Sequence, residues 1–98
     1  MELIVRVVIR GRVQGVGYRV WAEDAAAERG IAGWVRNRRD GAVEALFAGM
    51  ADDVRAMIEA CREGPPGSRV ETIDQLAAGV DDLALRRGGE AFSVLSTV

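Results

Sequence analysis

The sequence predicts an α+β sandwich in the order β-α-β-β-α-β, an antiparallel sheet with two helices on one face. Three observations carry that expectation. Runs of alternating hydrophobicity are separated by two stretches of helical composition or spacing. An Asp-Gly step lies between the second and third runs, where a hairpin is needed. The 98 residues suffice for one two-layer core and leave no room for another, so residues 1–98 should form a single domain.

In the first run, Leu3, Val5, Val7 and Ile9 alternate with a mixed face that includes Arg6 and Arg10, the pattern of a strand. It enters Gly11-Arg12-Val13-Gln14-Gly15-Val16-Gly17-Tyr18-Arg19, whose glycines stop the strand and permit positive φ. From Arg19 to Arg29 the residues are good helix formers with acids in the early part, and Gly30 ends the run. A short strand from Ala32 to Asn37 and another from Val43 to Gly49 flank the turn Arg38-Arg39-Asp40-Gly41. The second helix follows. Val54, Met57, Ile58 and Cys61 recur at i, i+3, i+4 and i+7, Asp52 and Asp53 complement its N-terminus, and Gly64-Pro65-Pro66 ends it. Arg69 to Leu76 reads as a fourth strand, Gly79 to Glu90 as polar loop, and Ala91 to Ser96 as a short fifth strand. Two right-handed β-α-β units in this order give the ferredoxin-like plan. That plan hosts enzymes, RNA binders and regulatory domains, so the function must be read from a site.

Composition narrows the chemistry. There is no histidine and no lysine, and all 13 basic residues are arginine. Imidazole bases, Ser-His-Asp or Cys-His pairs, His-ligated metals and lysine Schiff bases are therefore excluded. The lone Cys61 cannot pair within the chain, which fits a reducing compartment. Arg6 and Arg10 interrupt the N-terminal apolar run, unlike a signal peptide, and no stretch approaches the ~18 apolar residues of a spanning helix. The expected location is cytoplasmic, with no membrane partner. A net charge of −2 argues against nucleic acid as a partner, and the aromatic RNA-binding motifs are missing.

Two positions invite chemistry. A strand that passes through glycines into a helix start presents successive N–H groups to an anion, helped by the helix dipole. Arg19 adds a permanent planar cation there, and the set suits a tetrahedral dianion. The same loop also reads as a simple tight turn with Arg19 in solvent. Asn37, at the end of the second strand, carries a carboxamide able both to donate and to accept, or is a turn residue. Arg36, Arg38 and Arg39 read as solvated, with substrate steering an open role. Trp21 and Trp34 read as packing, and Cys61 as core.

The segment from Ile9 to Arg19 closely resembles the phosphate loop of the acylphosphatases. Gly33-Trp34-Val35-Arg36-Asn37, with Gly41, Val43 and Gly49 at matching intervals, resembles that family's second motif. Tyr18 stands where the family usually has phenylalanine; it keeps the ring and adds a hydroxyl, so little effect is expected. The segment Phe92 to Val98 matches less distinctively. The resemblance implies hydrolysis of a small-molecule acyl phosphate to carboxylate and inorganic phosphate. Arg19 would bind the phosphoryl group, amides of Gln14, Gly15, Val16, Gly17 and Tyr18 would complete the cradle, and Asn37 would orient the attacking water. No metal, cofactor or covalent intermediate is expected, and a monomer is the expected state. One rival reading is a non-catalytic ferredoxin-like module that senses a phosphorylated metabolite. Another is a segment of a larger maturation enzyme that handles carbamoyl phosphate.

Overall fold

The computed structural model describes residues 1–98. In chain order, β1 spans Glu2–Arg12, α1 Tyr18–Glu28, β2 Ala32–Asn37, β3 Val43–Met50, α2 Ala51–Glu63, β4 Arg69–Ala77, α3 Val80–Leu83 and β5 Phe92–Val94. The sheet order is β4-β1-β3-β2-β5. Among β1 to β4 every pairing is antiparallel, as the sequence predicts. The added β5 lies parallel to β2, with Gly33 opposite Phe92, so the full sheet is mixed. The segment before it passes behind the sheet, which delivers β5 to the open edge of β2 in the same direction.

Strand alternation sends Val7, Ile9, Val35, Val43, Ala45 and Phe47 into the layer shared with α1 and α2, where all are buried. From α2, Val54, Met57, Ile58 and Cys61 enter the same layer, the stripe that the spacing predicts. Burial of each such aliphatic side chain stabilises the fold by about 1.5–3 kcal/mol. Helix α1 contributes Tyr18 and the small residues Ala22, Ala25 and Ala26, and the alanines let it lie close to the sheet. It starts at Tyr18, and its first turn has no acid; Glu23 and Asp24 fall in the second turn. No helix is long and apolar enough to cross a membrane.

The opposite face of the sheet departs from the sequence reading. Within Gly79 to Glu90, read as polar loop, the single turn α3 packs against β3. The Trp34 indole N–H donates to the Asp82 carbonyl at 2.8 Å, and Trp34 is 1% exposed. Leu46, on the same face, is fully buried. Arg36 is not a solvated cation: its Nε donates to Glu44 at 2.7 Å, and its guanidinium stacks 4.6 Å from the Trp34 ring centre. Glu44 is 3% exposed and also accepts from Arg6 at 2.9 Å, so this buried carboxylate is held between two guanidinia. Arg38 is likewise engaged, with Asp40 at 2.9 Å. Strand β5 is shorter than predicted, at Phe92–Val94, the residues in register with β2, while Ala91 and Leu95 on either side each keep one main-chain bond to it.

Candidate active site

The loop between β1 and α1 reaches its shape through glycine. Gly15 and Gly17 hold φ values of 75° and 81°, which residues with a Cβ rarely adopt. Gly17 is the N-cap residue of α1 and has no side chain to cap it. The first N–H groups of a helix have no internal acceptor, and here none is supplied. Trp21, bonded to the Gly17 carbonyl at 3.0 Å, is the first donor that is satisfied. From Gln14 through Val20 the main-chain N–H groups have no acceptor within the protein. A glycine-shaped loop thus runs into the positive end of a helix dipole with its donors free.

Two side chains anchor the loop. Gln14 Nε2 donates to the carbonyls of Arg38 and Ala42, at 2.7 and 2.9 Å, and so ties the loop to the mouth of the β2–β3 hairpin. The hairpin is fixed in turn by Arg38 N–H to the Ala42 carbonyl at 2.8 Å and Ala42 N–H to Asp40 Oδ1 at 3.1 Å. That main-chain donor, with Arg38 and Arg10 beside it, holds the Asp40 carboxyl below the ordinary carboxylate range. At the other end of the loop, the Tyr18 hydroxyl donates to the Cys61 carbonyl at 2.6 Å. Cys61 lies in the last turn of α2, where carbonyls lack a helical partner, so the tyrosine replaces a missing bond. The hydroxyl that seemed incidental in the sequence is a strut between the loop and α2. Burial pushes the Tyr18 phenol above its ordinary range and the Cys61 thiol up to about 12, so neither ionises near neutrality.

Val13, Gln14, Gly15, Gly17, Tyr18, Arg19, Val20 and Asn37 line one cleft of about 110 Å³, room for a small head group. Arg19 and Asn37, from different elements, therefore meet in it. Val16 packs against the core instead of lining the cleft. Arg19 is half-buried and makes no hydrogen bond or ion pair. The other half-buried arginines, Arg6, Arg29, Arg36, Arg38 and Arg86, each bond to a protein oxygen. The carboxamide of Asn37 is also half-buried and unpartnered, although its main-chain carbonyl accepts from Val98. Chemically the cleft offers one fixed cation, a string of neutral donors and a free amide: a seat for a dianion with a place for water beside it.

The family model for acylphosphatase matches residues 5–83. An acylphosphatase of Bradyrhizobium diazoefficiens is 61% identical over 97% of this chain and 96% of its own length. One of Rhodopseudomonas palustris is 54% identical over the full length of both. Among solved structures, the acylphosphatase of Bacillus subtilis superposes with a TM-score of 0.81 at 35% identity, covering 97% of this chain and 99% of that one.

Proposed function

The chain belongs to the acylphosphatase family, whose activity is the hydrolysis of acyl phosphates, and we propose that its cleft does this with Arg19, Asn37 and the loop amides alone. The observation that carries the reading is the Arg19 guanidinium: half-buried, unpaired, and in the same cleft as a run of free N–H donors and Asn37.

Arg19 and the amides of Gln14, Gly15, Val16, Gly17 and Tyr18 hold the phosphoryl oxygens. Asn37 holds a water in line with the bond to be broken. The phosphorus–oxygen bond to the acyl group lengthens as the water oxygen approaches, and the three phosphoryl oxygens carry the charge in a loose transition state. Electrostatic positioning is what such a transition state needs. The leaving group is a carboxylate whose conjugate acid has a pKa near ~4, so it departs without a general acid. The water's proton passes to a phosphoryl oxygen of the substrate, which accounts for a site without histidine or lysine. Because water attacks phosphorus directly, no covalent enzyme intermediate forms, and no metal is called for. Phosphate monoesters, whose alkoxide leaving groups require an acid or a metal, should react poorly. The proposed setting is cytoplasmic, which the lone unpaired Cys61 supports, and the size and class of the domain favour a monomer.

The test is hydrolysis of benzoyl phosphate in EDTA by the wild type and Arg19→Ala. Wild-type turnover should persist, and the variant should lose on the order of 10³-fold or more in kcat/KM, the scale of arginines that stabilise phosphoryl transfer. A variant that keeps more than about a tenth of wild-type activity removes Arg19 from its assigned role.

A further inference from the structure

We propose that Arg12, Arg39 and Arg69 form a cationic rim that draws the acyl phosphate dianion toward the cleft, an inference that rests on the functional reading above. The other arginines, apart from Arg19, each bond through the side chain to a protein oxygen. Arg12, Arg39 and Arg69 do not, and all three are exposed.

Their placement is not scattered. Arg12 directly precedes Val13, a wall of the cleft. Arg69 sits opposite Arg12 across the β1–β4 ladder. Arg39 follows Arg38, whose carbonyl is held by Gln14 of the loop. The three free guanidinia therefore gather at the end of the sheet that holds Arg19. The acids that could neutralise them are engaged or fewer. Asp40 is shared by Arg38 and Arg10, the side-chain acids Glu63 and Glu71 remain without a partner at this end, and a Val98 oxygen accepts from the Arg39 main-chain N–H at 2.7 Å without pairing with its guanidinium. A chain with a net charge of −2 thus turns a locally positive face toward its anionic substrate.

Fields of this kind raise the local concentration of a dianion and act through solvent, without contact. Their range is the Debye length, roughly 30 Å at 0.01 M salt but only about 3 Å at 1 M. The rim is thus expected to act on KM at low ionic strength and to leave kcat unchanged, since none of its members touches the reacting atoms. Of the arginines left open in the sequence reading, Arg36 and Arg38 each share a carboxylate with a second arginine, and Arg39 alone has no acid partner.

The experiment compares the wild type with R12Q/R39Q/R69Q on benzoyl phosphate across a sodium chloride series. At about 10 mM ionic strength the variant's KM should be on the order of tenfold higher with the same kcat, and at about 0.5 M the two should converge. Equal KM values at low salt overturn the proposal. So does a KM difference that salt does not erase, which marks a local contact or a structural defect instead. A wild type without turnover sinks the functional reading and the rim with it, whereas an active wild type with salt-parallel curves sinks the rim alone.

Discussion

Arg19 and Asn37 enter one cleft from different elements, and neither commits its side-chain polar atoms to the protein. For Arg19 the sequence is informative: a permanent cation just after glycines, at a helix start, already points to an anion. Asn37 is harder, because an asparagine at a strand end reads as a turn residue until its carboxamide is seen unpartnered beside Arg19. Its role as a water holder predicts a kinetic signature. Asn37→Ala should lower kcat on the order of 10²-fold while KM stays within about threefold, because lost orientation costs rate more than affinity. Steady-state kinetics on benzoyl phosphate checks this; a raised KM with an intact kcat would make Asn37 a binding residue. The anchors of the loop were not legible. Tyr18 and Gln14 reach main-chain carbonyls 43, 24 and 28 residues away, and a carbonyl acceptor has no sequence signature.

At the scale of elements, the cleft exists because a loop, a helix start and a hairpin are locked together. Gln14 is the lock between loop and hairpin, with one amide nitrogen shared by two carbonyls. Gln14→Ala should cost about 1–2 kcal/mol of stability, the scale of the hydrogen bonds lost. Its kcat should fall on the order of tenfold, since small displacements of a catalytic geometry are expensive in rate. Denaturant unfolding beside turnover measures both; a stable variant with unchanged kcat would show that the loop needs no tether. The elements themselves were largely readable. The α2 stripe and the Asp-Gly hairpin are strong local signals, and the structure places both where the pattern does. Helix α3 was missed because four residues are about one helical turn, too short to display a period. The trimmed β5 depends on its ladder with β2, a nonlocal pairing invisible in a short run.

The whole molecule is a sheet covered twice: α1 and α2 fill one side, and the chain from α3 to β5 lies over part of the other. The cleft sits at one end of the first layer, while Trp34 keys the second through the Asp82 carbonyl. Trp34→Ala should therefore destabilise the fold by about 3–5 kcal/mol, the usual cost of emptying a buried aromatic site. The folded fraction should retain wild-type kcat, because the cavity opens on the face away from the cleft. Calorimetry with activity measured well below the transition checks both halves; lost turnover in folded protein would couple the two layers.

The two flanks of the sheet are unequal. On one side lies the three-residue β5, too short to recruit another strand. On the other lies β4, nine residues long, but its ladder with β1 slips a step at Glu71, and Arg69, Glu71 and Asp74 stand exposed along it. An incoming strand would meet a kinked backbone and have to strip water from those charges. Long-term incubation at high concentration should accordingly leave this chain dispersed, with its open flank guarding against fibril growth.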